Sequence, residues 1–197
     1  MEESLKKYIY ISTFIYIVVL IISIFILPSI FGNIYGNISS EQLRINSINN
    51  SELPLLQTLL IRNIMVSCLI IFLGVIGSEI LPLAILTWNA ISFGEILNAL
   101  NKPETINAIY FLLPHSIIEL PATILCTAFA CNFALKMRNT SGNNGVIGVL
   151  IYKGSINKVL TEYLVKPYIY YILPMIIVGC IIESTISLYI MRAIFNG

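Results

Sequence analysis

The residues best able to do chemistry lie inside an apolar stretch. The string Leu112-Leu113-Pro114-His115-Ser116-Ile117-Ile118-Glu119-Leu120-Pro121-Ala122 holds the chain's single histidine and a carboxylate. His115 and Glu119 are four positions apart, so on a helix they share one face and can hydrogen-bond along it. Pro114 and Pro121 each lack a backbone donor and free a carbonyl one turn earlier, at Tyr110 and Ile117. A kinked helix with a polar stripe is expected. Glu183, in Ile181-Ile182-Glu183-Ser184-Thr185, is a second carboxylate among apolar residues. Counted from the outer ends of their helices, Glu119 and Glu183 lie about 10 and 12 Å deep at 1.5 Å per residue. The two could therefore meet, and two carboxylates in contact would share a proton or bind a cation. Asn63, beside Arg62, and Asn89 are further polar neighbours.

Three chemistries fit this set. The polar groups can fix a bundle through interhelical hydrogen bonds, each worth about 0.6 kcal/mol. They can form a transport path or proton relay, the usual meaning of ionisable groups in a membrane. They can form a catalytic or metal site on His115, Glu119 and Glu183. Zinc needs at least three protein ligands and an open position. His-x-x-x-Glu falls short of that, and His-Glu-x-x-His is absent. No metal and no cofactor is therefore expected, and the chain leans away from being an enzyme.

Long apolar helices must position these residues. Hydrophobic residues make up 57% of the 197 and charged residues 11%, against about 25% charged in soluble domains. Mean hydropathy is +0.89. So few charges cannot solvate a globular surface, whereas lipid accepts an apolar exterior. A net charge of +1 makes no case for nucleic acid. Cys68, Cys126, Cys131 and Cys180 fall in apolar stretches without metal-ligand spacing and read as small packing residues.

Five apolar segments are long enough to read as membrane helices, at roughly 8–31, 57–76, 81–97, 106–135 and 168–195. The first follows Lys6 and Lys7, exceeds a signal-peptide core and lacks a small-residue cleavage pattern, so it reads as a retained helix. The expected fold class is all-α, a polytopic membrane bundle of about five transmembrane helices in one domain. Lys6, Lys7, Lys136, Arg138, Lys153, Lys158 and Lys166 fall on one side of five crossings, and Arg44, Lys102 and Arg192 on the other. The positive-inside rule then puts the N-terminus in the cytoplasm and the C-terminus outside. In the inner loop, Ile156, Val159, Leu160, Tyr163 and Leu164 recur at helical spacing. They predict an amphipathic helix at about 146–165, on the membrane surface or against a partner.

The Leu113–Ala122 string resembles the signature of the stage II sporulation protein M family: Leu-Pro-His-Gly, two apolar residues, then Glu-Leu/Ile-Pro-Ala. Ser116 stands where that pattern has Gly. Other pieces follow in family order: Arg62-Asn63, Gly74 and Gly77, Trp88-Asn89-Ala90 with Phe93-Gly94, and Ile182-Glu183. The resemblance covers about 57–191. It implies a bundle of about five helices in a prokaryotic cytoplasmic membrane, with lipid around it. It further implies a non-enzymatic scaffold in envelope remodelling or peptide export, working with a cell-wall hydrolase or an ABC-type ATPase. The alternative is a small transporter, or a maturation and export protein for circular-bacteriocin-type peptides, using the His115–Glu119–Glu183 site. Association of like chains is compatible with either.

Overall fold

The computed structural model describes residues 3–26, 52–76, 78–99, 106–141, 160–182, 184–185 and 189. These residues form five helices: α1 (Glu3–Phe25), α2 (Glu52–Val75), α3 (Ile80–Ala99), α4 (Ile106–Ser141) and α5 (Thr161–Ile182). No strand occurs among the described residues. The protein is an all-α bundle, as its long apolar runs require.

Neighbouring helices alternate in direction. Tyr8 near the start of α1, Glu79 just before α3 and Arg138 near the end of α4 are in contact. Val75 at the end of α2 packs with Met137 of α4 and Leu164 of α5. One end of the bundle therefore gathers the starts of α1, α3 and α5 and the ends of α2 and α4. Near the other end, Ser23 of α1 meets Ala90 and Gly94 of α3.

The axis of the bundle is α4, which packs against every other helix. Ala130, Cys131, Asn132, Phe133 and Ala134 are consecutive and all buried. Five consecutive residues circle a helix, so this stretch is enclosed on every side. Small side chains make that enclosure geometrically feasible. A Cβ placed on Gly74 of α2 would lie 2.8 Å from the Cβ and carbonyl oxygen of Ala130. Such an approach is how membrane helices gain packing where no hydrophobic drive exists between them.

The exterior of α1 shows which solvent it faces. Its buried side carries Leu5, Tyr8, Ser12, Tyr16 and Ser23, whereas Tyr10, Phe14, Ile17, Ile21 and Phe25 are exposed. On α2, Ile61, Met65, Leu69 and Phe72 form an exposed stripe at helical spacing. Polar groups inside and large apolar groups outside is the arrangement that lipid stabilises and water does not. By length and composition, Glu3–Phe25, Ile118–Asn139 and Thr161–Ile182 can cross a membrane; Leu60–Val75 and Ile80–Gly94 are shorter apolar helices.

Several boundaries differ from the apolar runs. The helix α1 already begins at Glu3, and residues 27–31 lie outside the described part. The end of α4 runs past residue 135 to Ser141, and Met137 in this extension still packs with Phe133 and Leu164. Its 36 residues span about 54 Å, more than the roughly 30 Å of a hydrocarbon core. On α3, the Ser78 hydroxyl accepts the Leu81 N–H at 3.1 Å and caps the first turn. Pro82 sits in that turn, where its missing donor leaves no bond broken.

The last helix starts before Pro167 rather than after it. Two π-helical turns, Thr161–Val165 and Tyr168–Ile172, precede Pro167 and Pro174. A proline ring collides with the carbonyl four residues back, here Tyr163 and Tyr170. Widening those turns relieves both collisions and keeps the rod continuous. Of the amphipathic helix expected at about 146–165, residues 146–159 lie outside the described part. Leu160, Tyr163 and Leu164 pack on Phe133 and Met137 of α4.

Candidate functional site: two polar clusters in the bundle

The first cluster lies where α2, α4 and α5 meet. Asn63 on α2 donates to the Cys180 Sγ on α5 at 3.6 Å. One residue earlier, Gly179 faces Ile118 and the Glu119 backbone, and a Cβ there would sit 3.7–3.9 Å from them, in ordinary contact. Cys180 packs in one core with Ile70, Ala122, Cys126 and Ile176. The Asn63 side chain and the Glu119 backbone thus border one turn of α5. On the other side of this stretch of α4, Tyr16 of α1, 3% exposed, packs in one cluster with Leu120 and Ile124. Below Glu119, Thr123 donates to the Glu119 carbonyl at 3.0 Å.

Other expected members stand apart. Asn89 is half-buried on α3, next to Ala90, whose carbonyl accepts from Ser23 at 3.5 Å. Among the described residues Asn89 makes no hydrogen bond to Asn63 or Glu119. The side chains of Pro114 and His115, and Glu183 as a whole, lie outside the described residues. The helix passes Pro114 and Pro121 as one element. Among the described residues no three His, Cys, Asp or Glu side chains gather as metal ligands.

The second cluster went unread in the sequence. Glu79 sits in the short turn between α2 and α3. Its Oε1 pairs with Arg138 Nη2 at 2.7 Å. The Tyr8 hydroxyl donates to its Oε2, and the Cys131 thiol donates to its backbone carbonyl at 3.3 Å. A carboxylate just before a helix also meets the positive end of that helix. A cavity of about 420 Å³ opens beside it, lined by Ile76, Ser78, Glu79, Ile80 and Arg138. Close by, Lys136 Nζ lies 3.7 Å from the Tyr163 ring centroid, tying α4 to α5. The available signal was topological: two crossings separate Glu79 from Arg138, so both fall at the same end of the bundle.

Two further bonds tie helices together. Ser67 of α2 shares a 2.9 Å hydrogen bond with the Tyr168 hydroxyl of α5, and Cys126 of α4 donates to the Ser67 carbonyl at 3.5 Å. Such bonds fix the register and rotation of each helix.

A model of the family described as stage II sporulation protein M matches residues 11–188. Neither a curated protein nor a solved structure matches. The family match spans most of the chain, so the chain belongs to the stage II sporulation protein M family.

Proposed function

We propose that this member of the stage II sporulation protein M family is a non-enzymatic component of a membrane assembly. It organises a partner protein for envelope remodelling or peptide export, and the partner is a cell-wall hydrolase or an ABC-type ATPase. The observation that supports this reading is where the polar side chains go. Asn63, Ser67, Ser23, Tyr8, Glu79 and Arg138 bond across helices, and the axial helix is sealed by small-residue contacts. A rigid bundle locked by its polar groups suits a platform.

In this reading the end bearing Lys6, Lys7, Arg138 and Lys166 is cytoplasmic, in keeping with the positive-inside rule. The partner docks there, on the amphipathic segment holding Ile156 and Val159. Tyr163 belongs to the bundle through its contact with Lys136, so the docking test leaves it alone. Changing Ile156 and Val159 to Asn should release the partner from the purified complex while the bundle stays monodisperse with an unchanged melting temperature. Undiminished partner recovery from that variant would rule out docking through this segment.

A further inference from the structure

Tyr8, Ser12 and Tyr16 are spaced by four on α1, and all are buried, at 7%, 0% and 3% exposure. Glu119, Thr123, Thr127 and Cys131 are spaced by four on α4 and share one face of it. The two rows meet. Tyr8 packs in one cluster with Ala128 and Cys131, and Tyr16 packs in another with Leu120 and Ile124, next to Glu119. Because the helices are antiparallel, Ser12 falls between these contacts, at the level of Thr127. Among the described residues, Ser12 Oγ and Thr127 Oγ1 are both buried without a hydrogen-bond partner.

A buried hydroxyl without a partner costs about 1–3 kcal/mol. Buried polar groups are as a rule satisfied by protein or by internal water. Two such hydroxyls at one level of one interface mark a polar seam. At its lower end the seam reaches Tyr8, which donates to Glu79. Glu79 in turn borders the open cavity, where the Arg138 side chain is 62% exposed.

We propose that this seam is a proton path joining solvent at Glu79 to the Glu119 carboxylate through the hydroxyls of Tyr8, Ser12, Thr127 and Tyr16. In this path internal water links successive hydroxyls, the usual way in which buried polar groups without protein partners are satisfied. Each hydroxyl accepts a proton on its oxygen and passes its own onward. The net change is that a hydronium in the cavity becomes water and the Glu119 carboxylate becomes a carboxylic acid; only O–H bonds form and break. Among the described residues, the titratable groups on the turns that border Glu119 are Tyr16 of α1, packed beside Leu120, and Cys180 of α5, next to Gly179. Arg62 of α2 points outward, and α3 contributes Leu86 and Ala90 to the cluster that packs Leu120. The path stands apart from the assembly role, since it concerns proton exchange at Glu119 whatever the partner.

The test is infrared difference spectroscopy of the full chain in phospholipid vesicles, with the Glu119 band assigned by its loss in Glu119→Gln. The band should titrate with bulk pH and exchange promptly in D2O. Tyr16→Phe and Thr127→Val should slow exchange on the order of tenfold, equal to about 1.4 kcal/mol in the barrier. Thr127→Ser, which keeps the hydroxyl, should restore the rate and so separate lost proton transfer from repacking. Wild-type exchange in both Tyr16→Phe and Thr127→Val would overturn the path. So would a Glu119 that neither titrates nor exchanges in the native protein.

Discussion

Glu79 and Arg138 hold the start of α3 to the end of α4, with 2.7 Å between Oε1 and Nη2. The other oxygen of the same carboxylate takes the Tyr8 hydroxyl, so one side chain ties three helices. The two ends of the ion pair are unequal. Arg138 is largely exposed, and solvent screening limits its loss in Arg138→Ala to about 1 kcal/mol or less. Glu79→Ala also strands the buried Tyr8 hydroxyl, at a cost of about 1–3 kcal/mol. Thermal unfolding in detergent should therefore show Glu79→Ala to be the more damaging change. The reverse order would show that the Tyr8 bond contributes little.

The contact of Gly74 with Ala130 is set by backbone as much as by side chain. A Cβ on Gly74 would meet the Ala130 Cα at 2.9 Å and its carbonyl oxygen at 2.8 Å. Gly74→Ala must push α2 from α4, an overpacking that costs about 1–3 kcal/mol. Ala130→Gly should recover only part of this, because the backbone contacts remain. Full recovery in the double variant would place the whole clash at the Ala130 methyl.

Gly94 and Ser23 behave differently. A Cβ on Gly94 would overlap the Ser23 hydroxyl and lie 2.7 Å from the Ser23 Cβ, with the Leu20 carbonyl at an easier 3.4 Å. Here a side chain is the main obstacle. Gly94→Ala should lower the folded yield, measured by fluorescence-detected size exclusion, and Ser23→Gly in the same chain should restore it. A Ser23→Gly change that gives no rescue would mean that α1 and α3 are held by other contacts.

Asn63→Leu removes the bond to Cys180. Hydrogen bonds between membrane helices average about 0.6 kcal/mol, so the melting temperature should fall only slightly and the protein should still reach the membrane. A collapse of expression would mean that Asn63 does more than join α2 to α5.

The helices themselves were legible because a bilayer demands long apolar runs, and five such runs mark five rods. Their ends were less so. Asn139 and Ser141 continue α4 although nothing in their type calls for helix, and Pro167 reads as a stop that π-helical turns override. That Asn63 is a polar residue in apolar surroundings could be read from the sequence, but not that it bonds a thiol. Glu79 escaped notice because an acid in a short turn looks solvated. Its role appears only once α4 brings Arg138 beside it.

The most direct test of the assembly role is purification of the tagged protein from its native membrane in mild detergent, with quantitative mass spectrometry of what accompanies it. A cell-wall hydrolase or an ABC-type ATPase in stoichiometric amount is the predicted result, and which of the two appears decides between envelope remodelling and peptide export. A bundle that emerges folded, monodisperse and free of either would contradict the account and leave the Glu119 site as something that works alone.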